Sequence, residues 1–131
     1  MSIRDTALAC IGWGYTPHGR YNPSQRRQMV DCWGLVLHVL GRHGRQLPDP
    51  AYTEDWSAEF SFLESYHNVA APVDAPLEGD VAIMYGPRGV PNHAGVYIGF
   101  GEIVHTSDKA GVVVSRVARM RCKLAGFFRC Q

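Results

Sequence analysis

Residues 30–44 read VDCWGLVLHVLGRHG. Leu35, Val36, Val39 and Leu40 recur at helical spacing, so the stretch predicts a helix over about 32–42. Asp31 is a good N-cap, because its carboxylate can accept hydrogen bonds from the free amides of the first turn. Gly44 supplies a C-terminal stop. Cys32 then sits on the first turn, where the positive end of the helix dipole and the unpaired amides favour thiolate over thiol. Asp31 opposes this as a negative neighbour, and a nearby imidazolium would tip the balance. The alternative reading of Cys32 is a small buried hydrophobe, which is what most free cysteines are.

Upstream, Ile3, Ala7, Cys10 and Ile11 share one face and predict a short helix over 3–11, with Cys10 in its core stripe. Residues 12–29 are dense in Gly, Pro, Arg and Gln and read as a long loop. Downstream, QLPDPAY is a Pro-rich turn. Thr53 can cap a third helix over about 54–67, with Trp56, Phe60, Leu63 and Tyr66 or His67 on one side. From Gly79 the character changes. DVAIMY, AGVYIGF, EIVHTS, GVVVSRV and AGFFR are β-branched or aromatic runs punctuated by Gly, Pro and Asp. The expected class is α+β, a single domain over 1–131 with N-terminal helices packed on one face of a four- to five-stranded antiparallel sheet.

A chain of 131 residues can bury one real core, and its net charge of +1 makes no bulk case for nucleic acid or a membrane surface. The C-terminal run is locally basic through Arg116, Arg119, Arg121, Lys123 and Arg129, which reads either as a solvated face or as a seat for an anionic partner. The segment MSIRDTALACIGWG carries Arg4 and Asp5 ahead of only a short apolar stretch, so it reads as mature sequence without a secretory signal. Four cysteines without a C-x-x-C pair lack the usual zinc or redox spacing, and Cys122 and Cys130 could pair or stay free.

Of six histidines, His38 and His43 share the Cys32 helix but lie more than a turn away, and His67 reads as a helix-end residue. His18 falls in the long loop. His93 and His105 lie in or beside strands, in PNHAGVYIG and EIVHTS, where a rigid backbone can hold a ring at a fixed angle. A cysteine protease needs a thiolate, an imidazole that pairs with it, and a third group that orients the imidazole. Cys32, His93 and His105 can fill those roles in that order. One geometric condition applies. A two-residue hairpin at Phe100 and Gly101 would put the two rings on opposite faces, whereas an odd-numbered loop or a bulge puts them on one. The same three side chains also suit zinc chemically, although no close ligand pair or fourth ligand stands out.

The order DCWGLV, GDVAIM, NHAGVYIG, VHTS resembles the NlpC family of cell-wall cysteine endopeptidases, over nearly the whole chain from Gly12 to Phe128. The resemblance implies a papain-like α+β fold, with Cys32 as nucleophile, His93 as base and His105 as third catalytic residue, and no cofactor. It also matches Tyr15, in GWGYTPHGR, to a tyrosine that can polarise the attacked carbonyl or hold the site, beside oxyanion donors at the start of the Cys32 helix; the alternative reading of Tyr15 is a packed loop aromatic. Asp80 reads as turn chemistry. The implied substrate is an amide of peptidoglycan stem peptides, commonly between D-glutamate and a diamino acid. Trp33 departs from the serine of many cell-wall members and is similar to phage tail-assembly sequences. The expectation is therefore a phage or prophage tail component, with other tail proteins as partners, acting at the bacterial wall. Two rival expectations are a structural tail-tip subunit that keeps the fold without the chemistry, and another use of the fold such as an interbacterial amidase effector or an acyltransferase.

Overall fold

Asp31 holds an extended backbone, and its carboxylate accepts the Gly34 amide at 2.8 Å, so the central helix begins at the next residue. A computed structural model of the chain describes residues 1–49, 70–86, 89, 91, 93–120 and 123–130. The expected helix over 54–67, with Thr53 and His67, lies outside the described residues, as does Cys122. In chain order the elements are α1 (Ile3–Leu8), β1 (Gly14–Tyr15), β2 (Met29–Val30), α2 (Cys32–Gly41), β3 (Ala70–Val73), β4 (Val81–Met84), β5 (His93–Tyr97), β6 (Glu102–Ser107), β7 (Gly111–Arg116), α3 (Val117–Met120) and β8 (Leu124–Cys130).

Helix α1 starts on a capping box formed by Ser2 and Asp5, and it ends at Leu8, short of the expected residue 11. Cys10 therefore lies in the turn beyond it rather than within the helix, though still buried. The expected loop over 12–29 contains one short parallel pairing, Gly14 with Met29 and Tyr15 with Val30. Among the described residues the main sheet has six strands in the order β3-β8-β4-β5-β6-β7, with every pairing antiparallel. This corrects the expected four to five. The strand missed is β3, whose AAPV lacks β-branched alternation and carries Pro72; among the described residues it pairs only with β8, at the sheet's edge, where a proline is tolerated.

Strand alternation sorts the sheet into two apolar faces. Val81, Ile83, Ala94, Val96, Val104 and Val112 join α1 and α2 in the main core. Ala82, Met84 and Ile103 face the other way, under Met120 of α3, with Tyr97, Val117, Leu124 and Phe127 around them. So α1 and α2 do cover one face, and a single turn of helix caps part of the other. Asp80, buried just before β4, accepts the Leu77 amide at 2.7 Å and receives both Nε and Nη2 of Arg129 from β8, at 3.0 and 2.9 Å. That forked pair clips β8 to the start of β4 inside the sheet, in keeping with the turn role read for Asp80.

The Gly of the Asp-Cys-x-Gly start has a steric reason. A Cβ at Gly34 would lie 2.1 Å from the carbonyl oxygen of Gly19, and one at Gly19 would lie 2.4 Å from the carbonyl oxygen of Met29. The loop therefore presses backbone-to-backbone against the helix. Helix propensity alone favours Ala over Gly by about 1 kcal/mol, but here the backbone carbonyl cannot yield as a flexible side chain would. Gly34→Ala is expected to destabilise the protein by roughly 1–3 kcal/mol, read as a lowered midpoint in urea unfolding.

Candidate active site

The turn between β5 and β6 meets the geometric condition on the two histidines. Tyr97 pairs with Ile103, and the Ile98 amide donates to the Glu102 carbonyl at 2.9 Å, leaving Gly99, Phe100 and Gly101 as a three-residue loop. All three loop residues take positive φ, at 84°, 54° and 72°, a conformation glycine adopts without strain and Phe100 does not. An odd loop puts His93 and His105 on the same face. The Nε2 of His93 lies 3.2 Å from the Nδ1 of His105, and the rings meet edge-on at 79°. Gly95 makes this possible. A Cβ there would lie 2.5 Å from the Val104 carbonyl oxygen and 3.0 Å from the His105 Cβ.

His105 is held from its other side. Its Nε2 lies 2.8 Å from the Oγ of Ser115 on β7. Sequence reading missed Ser115. Its signal was present in TSDKAGVVVS: Ser107 pairs with Gly111, and that register puts His105 opposite Val113 with Ser115 on the same face.

Cys32 is the first residue of α2 and is 2% exposed. Its sulfur belongs to the main core side, and the backbone amides of Ala94 and Trp33 hydrogen-bond it. Ala94 is the residue after His93, so the start of β5 carries both the sulfur's amide partner and the first ring. Trp33 is buried as well, and its indole Nε1–H donates to the Pro48 carbonyl at 2.9 Å. Tyr15, half-buried on β1, is set beside Val30, two residues ahead of Cys32. Asp31 is fully buried and ties the neighbourhood together. It accepts the amides of Gly34 and His18 and the Nη1 of Arg20, at 2.8, 3.0 and 2.8 Å. Arg20 also reaches Asp49 through Nε and Nη2, at 3.0 and 2.7 Å.

The electrostatics correct one expectation. The helix start does not hold Cys32 as a thiolate. Burial pushes its thiol well above the ordinary value, the charge of Asp31 adds to that, and the amides and Arg20 offset only part of it. His93 is pushed down to about 3, first by withdrawal of the ring from water and then by His105 and Lys123. His105 is lowered too, mainly by burial. The resting site therefore holds a neutral thiol and neutral imidazoles. Of the remaining histidines, His38 stacks on Tyr21 at 4.3 Å, and His43 lies 2.8 Å from the Thr6 hydroxyl. Cys10, Cys32 and Cys130 are free. Among the described residues no three His, Cys, Asp or Glu side chains group as a metal site, so the zinc alternative has no ligand cluster there.

These features define an α+β domain with a helix-start cysteine over a sheet that carries paired imidazoles. The chain belongs to the NlpC/P60 family, whose model matches residues 14–124. It is 30% identical over 82 residues to the tail tip assembly protein K of Escherichia phage lambda, a match spanning 59% of this chain and 41% of that protein. Among solved structures, it is similar to the NlpC/p60 domain of the peptidoglycan hydrolase SagA at 22% identity, TM-score 0.63, covering 99% of this chain and 96% of that one. It is also similar to the peptidoglycan hydrolase RipB of Mycobacterium tuberculosis at 22% identity, TM-score 0.65, covering 96% and 61%. NlpC2 of Trichomonas vaginalis matches at 17% identity and TM-score 0.68, covering 98% and 44%. At these identities the structural likenesses establish the fold.

Two measurements test the neutral site. Iodoacetamide labelling of Cys32, followed by mass spectrometry of its peptide, is expected to be slow at pH 7 and to keep rising with pH; a plateau between pH 5 and 8 would instead report a thiolate–imidazolium pair. His93 binds its proton near 6.5 when unfolded and only near 3 when folded, so the unfolded state holds more protons between those values. Its contribution to stability is therefore complete above pH 6.5 and is lost as pH falls towards 3. Urea unfolding of His93→Gln should show a weaker dependence on pH across that window than the unaltered protein.

Proposed function

We propose that this chain is a thiol hydrolase that cleaves an amide bond in peptidoglycan stem peptides, and that it serves as a phage or prophage tail component. The observation that carries the chemistry is the line of contacts from His93 through His105 to Ser115, which starts one residue from the amide that hydrogen-bonds the Cys32 sulfur. The peptidoglycan hydrolases among the structural relatives support the substrate class, and the lambda tail tip protein supports the setting.

In this reading Ser115 Oγ accepts the Nε2–H of His105, which leaves the Nδ1 lone pair of His105 to accept the Nε2–H of His93. The free Nδ1 of His93 then takes the proton of Cys32 as the sulfur attacks the carbonyl carbon. Because thiol and imidazole are both neutral at rest, proton transfer accompanies attack rather than preceding it. The tetrahedral oxyanion is met by backbone amides at the start of α2 and by the Tyr15 hydroxyl. His93 returns the proton to the leaving amine, a thioester forms, and water hydrolyses it to restore the thiol. His105 and Ser115 act through His93 as positioning residues.

A second reading, a tail-tip subunit that keeps the fold without catalysis, is favoured by the 2% exposure of Cys32. The two separate on purified peptidoglycan. The hydrolase reading expects soluble muropeptides by mass spectrometry from the native protein and none from Cys32→Ala; equal release by both would overturn it. Ser115→Ala is expected to lower kcat about ten-fold with KM little changed, and Ser115→Thr, which keeps the hydroxyl, should restore it.

A further inference from the structure

The face of the sheet that carries the histidines also holds a cleft of about 570 Å³ beside the far end of the relay, with His105 and Ser115 in one wall. Arg116, Arg119 and Lys123 line the rest, together with Glu102. The three cations are exposed, and among the described residues none of them is in an ion pair. The carboxylate in the lining is already occupied: Arg4 reaches Glu102 at 2.6 Å from outside the cleft. Arg119 and Lys123, without an ion pair among the described residues, thus line one concavity on a chain whose net charge is only +1, and Arg116 adds a third cation across the β6–β7 pair from Glu102. Convergent guanidinium groups favour planar anions, which they grip through two N–H donors at once. A cleft of this size suits a short ligand segment rather than a nucleic-acid duplex or a lipid surface.

We propose that this cleft is a carboxylate-binding subsite, which seats a free carboxylate of an acidic peptide beside His105 and Ser115; the assignment rests on the hydrolase reading for the identity of that peptide. Arg119 and Lys123 grip the carboxylate, and Arg116 extends the positive wall along β7. The subsite makes the protein selective for acidic peptides over their amidated counterparts. Lys123 is close enough for its charge to weigh on the protonation of both rings. A carboxylate seated there would offset that charge where the relay ends.

The test uses stem peptides in matched pairs, one with free carboxylates and one with the same groups as carboxamides. It has a binding arm on the Cys32→Ala protein by calorimetry and a turnover arm on the native chain. Carboxylate peptides are expected to bind about ten-fold more tightly than carboxamides. The Arg119→Gln/Lys123→Gln variant should lose that preference, while Arg42→Gln, which removes charge at the far end of α2, should keep it. In turnover the same variant should raise KM for the carboxylate peptide and leave the carboxamide's unchanged. Equal binding of the two peptides would overturn the assignment, as would inorganic phosphate displacing the carboxylate peptide at matched concentration. A native protein that binds selectively but releases nothing would refute the hydrolase reading and leave the subsite standing on binding alone.

Discussion

The buried carboxylate of Asp31 is the constraint on which the neighbourhood of the cysteine depends. Burying an unpaired carboxylate is strongly unfavourable, so its position dictates what surrounds it. The first turn of α2 supplies the Gly34 amide, the preceding loop supplies the His18 amide, and Arg20 supplies a countercharge that extends to Asp49. One anion thereby fixes the start of the helix, the path of the loop and the place of Cys32. The bare contact between Gly19 and Gly34 follows from the same closeness. The charge that organises this start also works against ionising the thiol beside it, so architecture and reactivity pull in opposite directions at one residue.

The other half of the site is built by a different device. Strand pairing controls only which face a side chain takes, and the three-residue turn at Gly99–Gly101 sets that parity for both rings. Arg4 then reinforces the turn from α1: its Nη1 donates to the Ile98 carbonyl at 3.1 Å, and its guanidinium lies over the Phe100 ring at 5.0 Å. A short N-terminal helix with no residue in the site thus helps hold the hairpin that carries it. The line of contacts from His93 through His105 gains its fixed order from the β6–β7 register, which brings the Ser115 hydroxyl to the far nitrogen of His105.

Much of this was legible in the chain. The apolar period and Asp31 located α2 to within a residue, because an N-cap and an amphipathic stripe are local signals. The strands from Val81 to Cys130 are readable from β-branched runs, and residue type and position point to Cys32, His93 and His105, whereas Tyr15 enters only through the resemblance to the family. Strand β3 was not legible, since AAPV becomes a strand only by pairing with β8 at an edge. Ser115 was overlooked although its alternation could have been counted.

What the chain determined by itself is the set of local choices: where a helix starts, which runs extend, and which glycines permit a turn or a close approach. The tertiary structure alone decided the protonation of the site and the company of each ring. The helix dipole argued for a thiolate, but burial and the Asp31 charge outweigh it. Desolvation depends on everything packed around a group, and that packing is assembled from residues far apart in sequence, so no local stretch can encode it.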